Sequence, residues 1–160
     1  MAMETKTVYF DERGPKNTDE TLRLAKERAD ALGLGDVVVA SYSGDVGVKA
    51  SQVFKGHNLV VVGGGYGFRG PNQVAMREAN RRIIEEGGGT VLHTGHAFGM
   101  LGRAVNKRTG TIQVDEIVAH VLRLLSQGVK VGCEITCMAV DAGLVRAGQE
   151  VVAIAGSGRG

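Results

Sequence analysis

Ser41, Ser43 and Gly44 stand where a strand gives way to a helix, and residues of these types in that place can hold a phosphate. The run Asp36-Val37-Val38-Val39-Ala40 reads as a buried strand, Ser41-Tyr42-Ser43-Gly44 as a tight turn, and a helix starts directly behind it. Hydroxyls and backbone N–H groups then gather at a helix N-terminus, where the macrodipole adds partial positive charge. The plainer alternative is that Ser43 only caps the helix. Two hydroxyls and a glycine at a strand's carboxyl end favour a ligand, because open α/β sheets bind ligands there. No Gly-Lys-Ser/Thr follows, so the turn is not a Walker loop, and it does not match the Gly-x-Gly-x-x-Gly dinucleotide fingerprint.

Four other segments carry chemistry. Gly63-Gly64-Gly65-Tyr66-Gly67-Phe68-Arg69 sets two aromatics and a cation among glycines. Such rings can stack on a planar ligand and Arg69 can reach an anion, whereas Phe68 alone reads as core packing. His93-Thr94-Gly95-His96 offers two imidazoles with no third ligand close by. It reads as a polar, ligand-facing loop with Thr94 donating, rather than as a metal site. Glu134 lies in an otherwise apolar stretch and reads first as a structural ion pair with Lys130, four residues before it. The sharper alternative makes it a general base or a carboxylate facing the ligand. Gly156-Ser157-Gly158-Arg159-Gly160 would form a second anion loop charged by Arg159, and the native chain is expected to continue past it. No Ser-His-Asp order or carboxylate pair assembles.

The elements that must position these groups alternate between strand and helix. Strands are expected at Thr7–Phe10, Val37–Ala40, Leu59–Val62, Thr90–His93 and Val151–Ala155. Helices are expected from Asn17 to Gly33, Asp45 to Phe54, Asn72 to Glu86, Met100 to Asn106, Val114 to Leu125 and Lys130 to Ala142, with Gly128 as an interruption. Asn17 with Glu20 resembles a capping box. This alternation implies a largely parallel sheet covered on both faces, in one domain spanning residues 1–160.

Composition narrows the partners. Nineteen basic and 17 acidic residues leave a net charge of +2, which gives no footprint for nucleic acid and no polybasic membrane patch. No apolar run is long enough for a membrane span, and the opening residues are not expected to act as a signal peptide. Cys133 and Cys137, one helical turn apart, read as reduced core thiols in a cytoplasmic protein.

Taken together, several short pieces resemble the free-standing relatives of the pyruvate kinase C-terminal α/β domain. They are Asn17 to Leu22, Val38 to Gly44, Gly67-Phe68-Arg69, Thr94 to Ala97, Gln127 to Val131 with Glu134, Met138 to Gly143, and Gly156 to Gly160. The resemblance implies a three-layer α/β/α sandwich with a mostly parallel five-stranded sheet in the order 3-2-1-4-5, its last strand parallel or antiparallel. It does not imply pyruvate kinase activity, since the catalytic barrel is absent. In the full enzyme the matching loop cradles a phosphate of a sugar bisphosphate, which carries over to Ser41, Ser43 and Gly44. The family's next hydroxyl falls on Val46 here, and Gly63-Gly64-Gly65 replaces residues that tend to be polar. Free-standing relatives look like binders of flavin mononucleotide, so FMN is the expected ligand. Tyr66, Gly67, Phe68, Arg69, Thr94, His96 and Glu134 would contact the part beyond its phosphate. The implied strand order puts a crevice between Asp11–Pro15 and Thr94–His96. The alternatives are an enzyme acting on a flavin or phosphometabolite through Glu134 or His96, and a regulatory or homo-oligomeric subunit.

Overall fold

The computed structural model describes residues 4–156. Its centre is β1 (Asp36–Ala40), whose Val37, Val38 and Val39 are wholly buried. Side chains alternate across a strand, so Val37 and Val39 face one layer while Val38 faces the other. Both layers must therefore be apolar. β2 (Asn58–Val62) repeats the arrangement, with Leu59 and Val61 on the first side and Val60 and Val62 on the second. β3 (Thr90–Leu92) pairs with β2, and β4 (Val151–Ile154) pairs with β1.

The first face is covered by α1 (Thr18–Leu32), α2 (Asp45–Val53) and α3 (Glu78–Glu86). They contribute Leu22, Ala50 and Ile84, joined by Phe54 from the end of α2. α1 stops at Gly33, whose left-handed backbone (φ 64°) suits a residue without Cβ. The second face is covered by α6 (Gln127–Asp141) through Ile135, Met138 and Ala139. α5 (Val114–Leu125) packs on α6, and α4 (Leu101–Thr109) packs on α5.

The sheet departs from the expected five strands. Among the described residues it has four, all parallel, in the order β3-β2-β1-β4. Thr7–Phe10 forms no strand: this stretch is irregular and exposed, with Tyr9 89% accessible. The place beside β1 expected for this stretch is held by β4. The switch point therefore falls between β1 and β4. The crevice lies beyond Ser41 and Ala155, not between Asp11–Pro15 and Thr94–His96 as expected.

Smaller corrections have local causes. α3 begins at Glu78 rather than Asn72, because Asn72 adopts a left-handed backbone (φ 58°) and Met76 turns into the core. The break between α5 and α6 is at Ser126, not Gly128. Ser126 is fully extended, and its hydroxyl accepts the Val129 N–H at 3.0 Å to cap α6. Asn17 makes no side-chain cap and instead donates to the Glu12 carbonyl. Cys133 and Cys137 are exposed rather than in the core. No helix among the described residues is long and apolar enough to cross a membrane.

Phe54 is among the largest fully buried side chains, and it meets His57 edge-on at 5.7 Å between ring centres. Phe54→Ala is expected to lower the unfolding free energy by about 3–5 kcal/mol, through lost transfer energy and the cavity left behind. Urea denaturation followed by circular dichroism measures it.

Candidate functional site

At the carboxyl ends of β1, β2 and β4 lies a cavity of about 670 Å³. One wall comes from the start of α1 (Asn17, Thr18, Thr21, Leu22) and from the turn after β1 (Ser41, Tyr42, Ser43, Val46). The other comes from α6, whose Gln127, Lys130, Val131, Glu134, Ile135 and Met138 recur at helical spacing. Phe68, His96, Arg103 and Arg123 complete the lining.

Within the turn, both hydroxyls already have protein partners. The Ser41 hydroxyl, almost wholly buried, accepts the Gly47 N–H at 3.0 Å and so caps the first turn of α2. Its own proton has no acceptor among the described residues. Ser43 donates to Asp45 at 2.7 Å. Gly44 holds φ at 93°, and a Cβ there would collide with Asn80. The N–H groups of Ser43, Gly44 and Val46 meet no acceptor among the described residues. Asp45, the first residue of α2, occupies part of the helix N-terminus itself. Hydrogen bonds from Ser43 and Asn80, with the Arg77 guanidinium alongside, hold its carboxyl below the usual range.

Deeper in the cavity, Glu134 and Lys130 form a buried ion pair one turn apart on α6. The other Glu134 oxygen accepts the Phe98 N–H at 2.9 Å, which ties the loop after β3 to α6. His96 Nδ1 lies 3.9 Å from the same carboxylate, and its ring tilts against Phe68 at 5.2 Å. Burial, opposed by Glu134 and reinforced by Lys130 and Arg103, pushes His96 below the ordinary histidine pKa. This favours the neutral imidazole.

Of the residues picked out by sequence, Ser41, Ser43, Phe68, His96 and Glu134 line the cavity. Tyr66, Gly67, Arg69 and Thr94 are not in its lining, and Gly44 shapes the turn from outside. Tyr66 packs edge-on to His93 at 5.6 Å, and Arg69 lies over the Tyr42 ring at 5.5 Å. The two histidines diverge, since His93 Nδ1 is 2.8 Å from the Gly64 carbonyl. Gly63 and Gly64 leave room for the rings of His93 and Tyr42, where any Cβ would intrude. Arg159 lies outside the described residues. Sequence reasoning missed Asn17, Thr18, Arg103 and Arg123 as lining groups. Arg103 and Arg123 have no carboxylate partner among the described residues, so the side chains lining the cavity carry surplus positive charge.

A histidine whose folded pKa is depressed binds fewer protons folded than unfolded, so its contribution is lost on acidification. Stability should fall as pH drops through the ordinary value of 6.5 toward the folded value. His96→Gln should flatten that part of the profile, measured as the urea midpoint at pH values on either side of 6.5.

No protein-family model matches the chain. Among solved structures it is similar to a mutant O-ureido-L-serine synthase crystallised with O-ureido-L-serine, at 19% sequence identity and a TM-score of 0.37. That match covers 84% of this chain and 49% of the synthase chain, so the present chain spans about half of it. The likeness is too slight to carry a fold or an activity across.

Proposed function

We propose that the chain binds a phosphate-bearing small molecule in the cavity beyond β1 and β4, with flavin mononucleotide as the ligand. The observation that supports this most is the pairing of unpartnered amides at Ser43, Gly44 and Val46 with a cavity lined by surplus cations. The volume of about 670 Å³ lies within the usual range for a small-molecule site, roughly 300–1,000 Å³. Val46, Val62, Val131, Ile135 and Met138 supply apolar wall, and Phe68 with His96 supplies aromatic surface for a flat ring. The resemblance to free-standing pyruvate kinase C-terminal domains points the same way. Asp45 modifies the expectation: with Ser43 hydrogen-bonded to that carboxylate, the phosphate relies on backbone N–H groups and the Ser41 hydroxyl.

Each residue's part follows from its place. Ser41 offers its remaining proton, and the turn amides orient the phosphate. Arg103 and Arg123 draw an anion toward the α6 side, and the apolar wall excludes water from the ring. A bound flavin would supply redox chemistry. A second reading, catalysis with His96 as base, rests on its neutral imidazole in the cavity lining. Glu134 suits that role less, because Phe98 and Lys130 already engage both its oxygens.

Calorimetric titration with FMN and riboflavin tests the binding. FMN is expected to bind roughly 10–100-fold more tightly, since charge-assisted hydrogen bonds to phosphate contribute about 1.5–3 kcal/mol. Ser41→Ala should erase part of that difference. Equal affinity for the two, or no binding of either, would sink the proposal. Arg103→Gln and Arg123→Gln should each weaken FMN, by a margin that shrinks as salt rises.

A further inference from the structure

α5 has two apolar sides, and only one of them is used. Ala119 is buried, on the side packed toward the body of the protein. Val114, Ile117, Val121 and Leu124 follow the 3-4-3 spacing of a heptad seam, with Val118 and Leu125 beside them. All six are between 37% and 77% exposed, and no charged residue interrupts the seam. A single surface leucine is ordinary, but a continuous apolar stripe along three turns of helix marks a binding surface.

We infer that this face of α5 is the contact between two copies of the chain, related by a two-fold axis. The regular 3.5-residue period is what a facing helix with the same period fills, knob into hole. A second α5 has that period by construction, and in a two-fold dimer the same patch serves both partners. The area agrees. The six side chains leave on the order of 600 Å² in water, so two copies bury at most about 1,200 Å² through the seam, which reaches the lower bound of a stable, specific interface only when the whole stripe is covered. Arg123 projects from the flank of α5 into the cavity lining, so pairing through the seam leaves the cavity open. The pairing does not depend on the identity of the cavity's ligand.

Sedimentation velocity and light scattering on the whole chain test this. The wild type should show a mass twice its 16.8 kDa, falling on dilution. Val121→Glu should halve the mass while the far-ultraviolet dichroism stays unchanged. Should that variant unfold, Leu125→Lys at the end of the helix gives the same reading at an exposed position. A wild type with single-chain mass at every concentration overturns the inference. So does an assembly that both substitutions leave intact.

Discussion

Val37, Val38 and Val39 need an apolar neighbour on both sides of one strand, and most of the architecture follows from that need. A strand buried on both faces cannot lie at the surface of a sheet that meets water. It draws α1, α2 and α3 to one face and α6 to the other. Parallel pairing then requires crossovers, which set every strand's carboxyl end on the same edge of the sheet. The hydroxyl-bearing turn after β1 and the residues that directly follow β2 and β4 therefore meet at that edge. The cavity thus arises from the core's geometry, and its chemistry from which side chains the turns and α6 present.

The same logic explains what the sequence reveals and what it conceals. Strongly patterned pieces are legible: Val37 to Ala40, Leu59 to Val62, and the helix from Val114 to Leu125. Their periods are set by burial, which leaves its mark on each residue. Thr7–Phe10 has the composition of a strand, but which segment lies beside β1 is decided by β4 at the far end of the sequence, which no local pattern records. The order of the strands is equally non-local, so the crevice is displaced from Thr94–His96 toward Ala155. Cys133 and Cys137 belong to an apolar helix, yet lie on a part of it left exposed among the described residues.

For the candidate site, the turn residues Ser41 and Ser43 are legible because hydroxyls clustered after a strand are uncommon without a purpose. Arg103 and Arg123 are not, because each sits in an amphipathic helix where any solvated cation would look the same. Only the stacking of α4 on α5 and α5 on α6 brings them toward the cavity. Tyr66 and Arg69 stand outside the cavity lining for the converse reason. Each is drawn to a neighbour instead, Tyr66 edge-on to His93 and Arg69 over the Tyr42 ring. A residue's type shows what it can bind, and its neighbours decide whether that capacity is left over.

Glu134 gathers three groups from two segments onto one carboxylate: Lys130 of its own helix, and the Phe98 backbone and His96 ring of the loop after β3. Loss of either member of the buried ion pair strands a charge, at a cost of about 3–5 kcal/mol. Lys130 and Glu134 are therefore heritable as a unit rather than singly. An evolutionary path that removes the pair must change both positions at nearly the same time, and must find a new anchor for Phe98 as well. The shape of this end of the cavity is thus tied to two positions at once.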